Sequence, residues 1–195
     1  MEMDDRKMLL DIFRADGIEG EELEKIVNSF ERISFQKGDY LMREGKTPDY
    51  YFFVESGFVR SFAYDASGND ISTGFFGEGQ IILEPSSFFL KVPLKENFQA
   101  TENSSCWKLD FVPFQEMFHS IPLFADAGRA RLVSNYFALK QRSVSMITDT
   151  AKERYLKLLE DQPLIFQKAS LKHIASYLGI TDTSLSRIRK ELVSR

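Results

Sequence analysis

Between Ile33 and Leu109, glycine punctuates the chain at Gly38, Gly45, Gly57, Gly68, Gly74, Gly77 and Gly79, and the segments between are rich in aromatic and β-branched residues. Short β-prone runs with a turn roughly every ten residues describe a β-sandwich or small barrel. Tyr50–Phe53 and Phe58–Tyr64 are the clearest strands, and Asp65-Ala-Ser-Gly-Asn69 is the hairpin turn after the second. The phenylalanines, 18 in the chain and concentrated here, are expected to fill the barrel.

Helical patterns flank this stretch. From Asp4 to Phe30, apolar residues from Met8 to Phe13 and from Leu23 to Phe30 recur at near-helical spacing, broken at Asp16-Gly17, which predicts two short amphipathic helices. After Asp110 the pattern is helical again, and Pro122 opens a long helix to Thr148. Ala130, Val133, Phe137, Val144 and Ile147 fall on the a and d positions of a heptad, with Lys140 the one interruption. Burial against the barrel would explain that stripe, but its place between two domains favours pairing with a second copy. A symmetric dimer would match a palindromic operator.

The stretch Ser170–Leu192, SLKHIASYLGITDTSLSRIRKEL, describes two short helices meeting at a corner. Ile174, Ala175 and Leu178 make the apolar stripe of the first, and Leu185, Ile188 and Leu192 that of the second. Gly179 supplies the positive φ of a tight helix exit, and Thr181 or Asp182 caps the next helix. An ordinary helical corner has the same spacing. What distinguishes this one is its outward face, where Thr183, Ser184, Ser186, Arg187, Arg189 and Lys190 can donate to phosphates and read base edges in a major groove.

Charge is distributed in the same sense. The net charge is −4, yet from Asp149 onward nine Lys/Arg stand against six Asp/Glu. The remainder is acidic, as in a modular DNA binder. The start, MEMDDRKMLLDIF, lacks the basic character of a secretory signal and no apolar run is long enough for a membrane span, so a cytoplasmic protein with no membrane partner is expected. Cys106 is the single cysteine, which excludes an intramolecular disulfide and a cysteine-ligated iron–sulfur cluster; a buried place in a strand is expected for it. With His119 and His173 the only histidines, no metal or haem ligand set is evident. No catalytic triad, P-loop or dinucleotide fingerprint is present, and no enzyme is expected.

The order of parts resembles the cyclic-AMP receptor protein and fumarate–nitrate regulator family of transcription factors. Phe35-Gln-Lys-Gly38 through Leu41, Glu44-Gly45, Asp49, Tyr51-Phe52-Phe53-Val54, Gly57 and Val59-Arg60 are similar to its opening barrel signature, and Ala175, Leu178-Gly179-Ile180 and Leu185-Ser186-Arg187-Ile188 to its helix-turn-helix. The resemblance implies an α+β protein: a jelly-roll, cyclic-nucleotide-binding-like barrel (residues 1–120), a dimerisation helix (121–148) and a helix-turn-helix domain (149–195). It implies DNA, a second copy of the chain and RNA polymerase as partners. It also implies a wing beside the helices; the chain given ends at Arg195, so the expected wing is a hairpin between Gln162 and Ala169.

Departures from the family pattern bear on function. Glu84 falls at the position that takes a ribose hydroxyl, but Pro85 follows it and removes a backbone N–H. Leu94 stands where the phosphate-binding arginine is expected, with Lys95 beside it, and Leu139 and Lys140 stand near the adenine contacts. Cyclic AMP is therefore not expected as effector, whose identity the sequence leaves open. On the DNA side, Asp182 and Thr183 replace two of the family's base readers, while Arg187 matches the third and is assigned to a guanine. Ser170, Lys172, Thr181, Ser184, Arg189 and Lys190 are assigned to phosphates. Two alternatives are a ligand-binding signalling module that has lost DNA binding, favoured by Asp182, and a cupin-like metalloenzyme, disfavoured because no histidine lies in the barrel.

Overall fold

The computed structural model describes residues 6–193. Helices α1 (Lys7–Ala15) and α2 (Gly20–Asn28) bury Leu9, Phe13, Leu23, Ile26 and Val27 on one face, and the turn between them uses Gly17 at φ +82°. They are the two amphipathic helices expected, except that Asp4 lies outside the described residues. Strands β1 (Glu31–Phe35), β2 (Tyr40–Met42), β3 (Tyr50–Ser56), β4 (Val59–Tyr64), β5 (Asp70–Phe76) and β6 (Ile81–Ile82) follow. A short helix, α3 (Pro85–Leu90), precedes β7 (Asn97–Ala100) and β8 (Ser104–Asp110).

The strands form two four-stranded antiparallel sheets, ordered β1-β8-β3-β6 and β2-β7-β4-β5. Alternation along β3 sends Phe52 and Val54 into the space between the sheets and Tyr51 and Phe53 to the opposite face. Between the sheets lie Leu41, Met42, Val59, Phe98 and Cys106, the last fully buried as expected. Two turns explain their residues. A Cβ on Gly57 (φ +97°) would stand 2.6 Å from the Ser104 backbone, so only glycine fits there. Asp65 Oδ1 accepts the N–H groups of Ser67 and Asn69 at 2.8 and 2.9 Å and so closes the β4–β5 hairpin.

The phenylalanines do not chiefly fill the sandwich. Phe53 and Phe88 pack outside it with Phe13, Phe30, Phe114 and Phe124, in a layer between β3/β8 and the helices. Phe35, Phe52, Phe76 and Phe98 do pack with the residues between the sheets, but more of the rings close the wider gap to the helices.

Helix α4 (Phe111–Ser120) completes that layer, and α5 (Pro122–Thr148) follows, about 40 Å long at helical rise. Beyond it lie α6 (Ala151–Asp161), α7 (Pro163–Lys168), α8 (Leu171–Tyr177) and α9 (Asp182–Val193). Thr150 and Glu153 form a reciprocal capping box at α6. Where a hairpin wing was expected between Gln162 and Ala169, the chain is helical. Pro163 occupies the first helical turn, where its missing N–H costs nothing, and Ile165 is buried. Among the described residues no strand follows β8. No described helix is long and apolar enough to cross a membrane.

Candidate nucleic-acid interface and effector pocket

Helices α8 and α9 meet through Gly179, at φ +67°, where a Cβ would stand 2.7 Å from Met146 Cε of α5. Ile174, Ala175, Leu178, Leu185 and Ile188 are buried together with Tyr155, Leu158 and Ile165, so a small apolar core holds the pair at its angle. Thr181 rather than Asp182 caps α9: its Oγ1 accepts the Ser184 N–H at 3.2 Å. Ser170 caps α8 by accepting the His173 N–H at 3.2 Å.

The outward face of α9 follows. Asp182, Thr183, Ser186, Arg187, Arg189 and Lys190 are exposed and Ser184 is half-buried; Ser170, Lys172 and Thr181 are also exposed. The Ser170 and Thr181 hydroxyls are engaged as caps, and the next acid, Glu191, is held by Lys152 at 2.5 Å. The face can offer two guanidiniums, two lysine ammoniums and several hydroxyls to a polyanion.

On α5 the predicted heptad residues are left uncovered. Val133, Phe137, Val144 and Ile147 are 53, 61, 45 and 84% exposed, and Ala130 is exposed beside them. Burial against the barrel is therefore not their explanation. Tyr136 and Leu139 widen the same apolar surface, and Lys140 is exposed within it.

The five residues assigned to an effector do not converge. Glu84 caps α3, its Oε2 accepting the Ser87 N–H at 2.6 Å and the Ser86 hydroxyl at 2.7 Å. Leu94 is buried with Leu41, Met42 and Phe98, whereas Lys95, Leu139 and Lys140 are exposed. Neither the aromatic cavity beside α5 nor the cleft at Tyr40 and Lys46 is lined by any of the five.

The sequence reading missed a different polar group. Thr73 Oγ1 donates to Glu96, and the Ser61 and Thr73 hydroxyls are 2.7 Å apart. Burial raises the Glu96 carboxyl above its ordinary value, against hydrogen bonds from Thr73 and Ser61, with Glu84 adding repulsion and Arg142 opposing it. Arg142, on α5, donates to the Thr73 carbonyl at 3.0 Å and to the Tyr177 carbonyl at 3.2 Å. One side chain thus ties α5 to both β5 and α8. Nothing local in the sequence marks this group, because its members come from β4, β5, α5 and the segment just before β7.

Also unforeseen is the seat of α8 on β5. Ser176 Oγ donates to Ser72 Oγ at 3.0 Å and accepts the Ser72 N–H at 3.1 Å, and Tyr177 packs its ring edge on Phe75. Beside them, Arg60 forks onto Asp70 at 2.6 and 2.7 Å although only 2% exposed. Burial alone would raise Asp70, but the hydrogen bond and charge of Arg60 outweigh it and hold the carboxyl low. His173 faces this pair half-buried; burial first, then Arg60, lower its imidazole below the ordinary value.

Residues 32–120 match the family model of the cyclic nucleotide-binding domain. That domain spans the two sheets with α3 and α4 between and after their strands. The whole fold is similar to solved structures of FixK2 from Bradyrhizobium japonicum (19% identity over 85% of each chain, TM-score 0.72). It is likewise similar to the c-di-GMP responsive global regulator CLP of Xanthomonas campestris (16% identity, 89% of this chain and 91% of that one, TM-score 0.70). Thermus thermophilus catabolite activator protein matches at 18% identity over 94% of this chain and 86% of that one, with TM-score 0.60. At such identities the likeness is one of fold. No curated protein sequence matches the chain.

Proposed function

We propose that the chain is a homodimeric, sequence-specific DNA-binding transcription regulator of the cyclic-AMP receptor and fumarate–nitrate regulator type, not gated by cyclic AMP. The observation that carries this reading is α9: Leu185 and Ile188 are buried while Thr183, Ser186, Arg187, Arg189 and Lys190 face solvent. In the helix-turn-helix reading α9 is the recognition helix, with Arg187 on a guanine and the other polar groups on backbone or base edges. The uncovered stripe from Ala130 to Ile147 supports α5 as the dimer helix. A twofold pair of α9 helices would read two half-sites about one helical turn apart.

The degenerate cassette supports independence from cyclic AMP. Glu84 is engaged as a cap, Leu94 is core, and the carboxylate of Glu96, just before β7, would repel a cyclic phosphate. The effector of this reading, where one acts, is a different small molecule.

Selection of bound sequences from random duplex DNA, followed by a mobility shift with salt titration, tests the proposal. A selected palindrome whose binding weakens steeply with salt is expected. Arg187→Ala should cost about 1–3 kcal/mol and relax preference at one base pair per half-site. No retarded species at low salt would instead leave a ligand-binding signalling module without DNA binding.

A further inference from the structure

The aromatic layer outside β3 is not closed. A cavity of about 50 Å³ lies among α1, β3, α3, α4 and α5, walled largely by Phe13, Phe53, Phe88, Phe114 and Phe124. Counting its mouth toward solvent, the open space is about 560 Å³. Tyr51 breaks the apolar wall. This residue is 6% exposed, and no hydrogen bond reaches its hydroxyl from any described residue. A phenol hydroxyl on a cavity wall without a protein partner is free to meet a guest or a water there. At the rim stands Arg131 of α5, its guanidinium bound to Asp16 of α1 at 2.5 Å.

These features define a guest. Its body must be apolar, and the ring edges and faces already arrayed around the cavity suit an aromatic one. It needs one oxygen to meet the Tyr51 hydroxyl. It must be neutral, because Asp16 offsets the charge of Arg131 at the rim and would repel a second anion beside it. The enclosed part is about a third of the ~150 Å³ that houses benzene, so one ring enters only by turning out Phe89 and Phe118, which line the cavity and are only partly buried.

We propose that this cavity is a binding site for a small neutral aromatic molecule carrying one hydrogen-bonding oxygen, with its ring among the phenylalanines and its oxygen on Tyr51. Such a guest touches α3 and α5 together, so its presence bears on the helix that leads to α8 and α9. The site stands apart from the Glu96 group and does not depend on the DNA-binding reading.

Isothermal titration and thermal unfolding of the full chain with phenol, benzene and benzoate test the site. Phenol should bind saturably with one site per chain and raise the unfolding midpoint, and benzoate should bind more weakly than phenol. In Tyr51→Phe, phenol should weaken about tenfold, to the level of benzene, through loss of one hydrogen bond. Leu132→Trp, which fills the cavity from α5, should abolish binding of both phenol and benzene. The proposal fails if wild-type protein binds no phenol, if benzoate binds as tightly as phenol, or if either variant binds phenol as the wild type does.

Discussion

The two sheets receive helices in opposite ways. On the outer face of β3 and β8, Tyr51, Phe53, Trp107 and Leu109 meet Leu9, Phe13, Ile26, Phe30 and Phe114 in a layer held by ring contacts such as Phe13 edge-on to Phe53 at 6.0 Å. On the side of β4 and β5, Phe58 and Phe75 are the sheet-side residues of the C-terminal core among those described, and Arg60, Asp70, Ser72, His173 and Ser176 make a polar contact beside them. A dry layer of that size contributes through burial and cannot open without exposing its rings. A seam of hydrogen bonds exchanges its partners for water at a net cost of about 0.5–1.5 kcal/mol each. Separation of parts, when it occurs, should therefore begin at α8 on β5 and leave the first layer intact.

The largest test of that contrast is Trp107→Ala. The indole is fully buried between β8 and the first helices, and its N–H donates to Glu55 at 3.1 Å. Its removal should cost about 3–5 kcal/mol and lower the denaturation midpoint of the whole chain in one transition. Loss of α1 and α2 alone, with the sheets retained, would show that the dry layer is separable after all.

Arg60→Ala addresses the other side and should have a smaller effect. It leaves the Asp70 carboxylate, 30% exposed, without its fork, at about 2 kcal/mol once that exposure is discounted against a fully buried pair. Faster proteolysis between α5 and α9, at unchanged protection of β3 and β8, is the expected reading. A uniform fall across the molecule would mean that the pair holds the sandwich rather than the seam.

The contrast also explains what the sequence disclosed. Period and punctuation mark the elements, so the strands at Tyr50 and Phe58, the Asp65–Asn69 turn and the long helix from Pro122 were legible. The buried stripe of α9 was legible because Leu185 and Ile188 repeat at helical spacing. Helix α3 was not, since six residues between β6 and β7 carry too little pattern, and the Gln162–Ala169 segment was read as a hairpin although Pro163 suits a helix start. Polar contacts across elements left no local trace. Glu96 finds Thr73 and Ser61, and Ser176 finds Ser72, only through the register of β4 and β5 and the docking of α8. Glu84, placed by resemblance in an effector pocket, is a helix cap, because a carboxylate three residues before an amide at a helix start closes on it.

The smallest expected effect is also the sharpest, because it separates the two sheets within one sample. His173 enters the seam with its imidazole held below the ordinary value, by burial first and by Arg60 next, while Asp70 pulls the other way and Lys172 on its own helix adds to the repulsion. The freed helix binds the proton more readily than the docked one. Docking is thus at full strength above the ordinary histidine value of about 6.5 and weakens as pH falls through the lowered value of the seated imidazole. Hydrogen-exchange protection factors of α8 should fall between pH 7.5 and pH 5.5, whereas those of β3 and β8 stay level. His173→Gln should flatten the α8 response. An equal fall in the variant would remove His173 as the cause, since Asp70, whose depressed carboxyl loses its contribution only at lower pH, cannot supply a fall in this range.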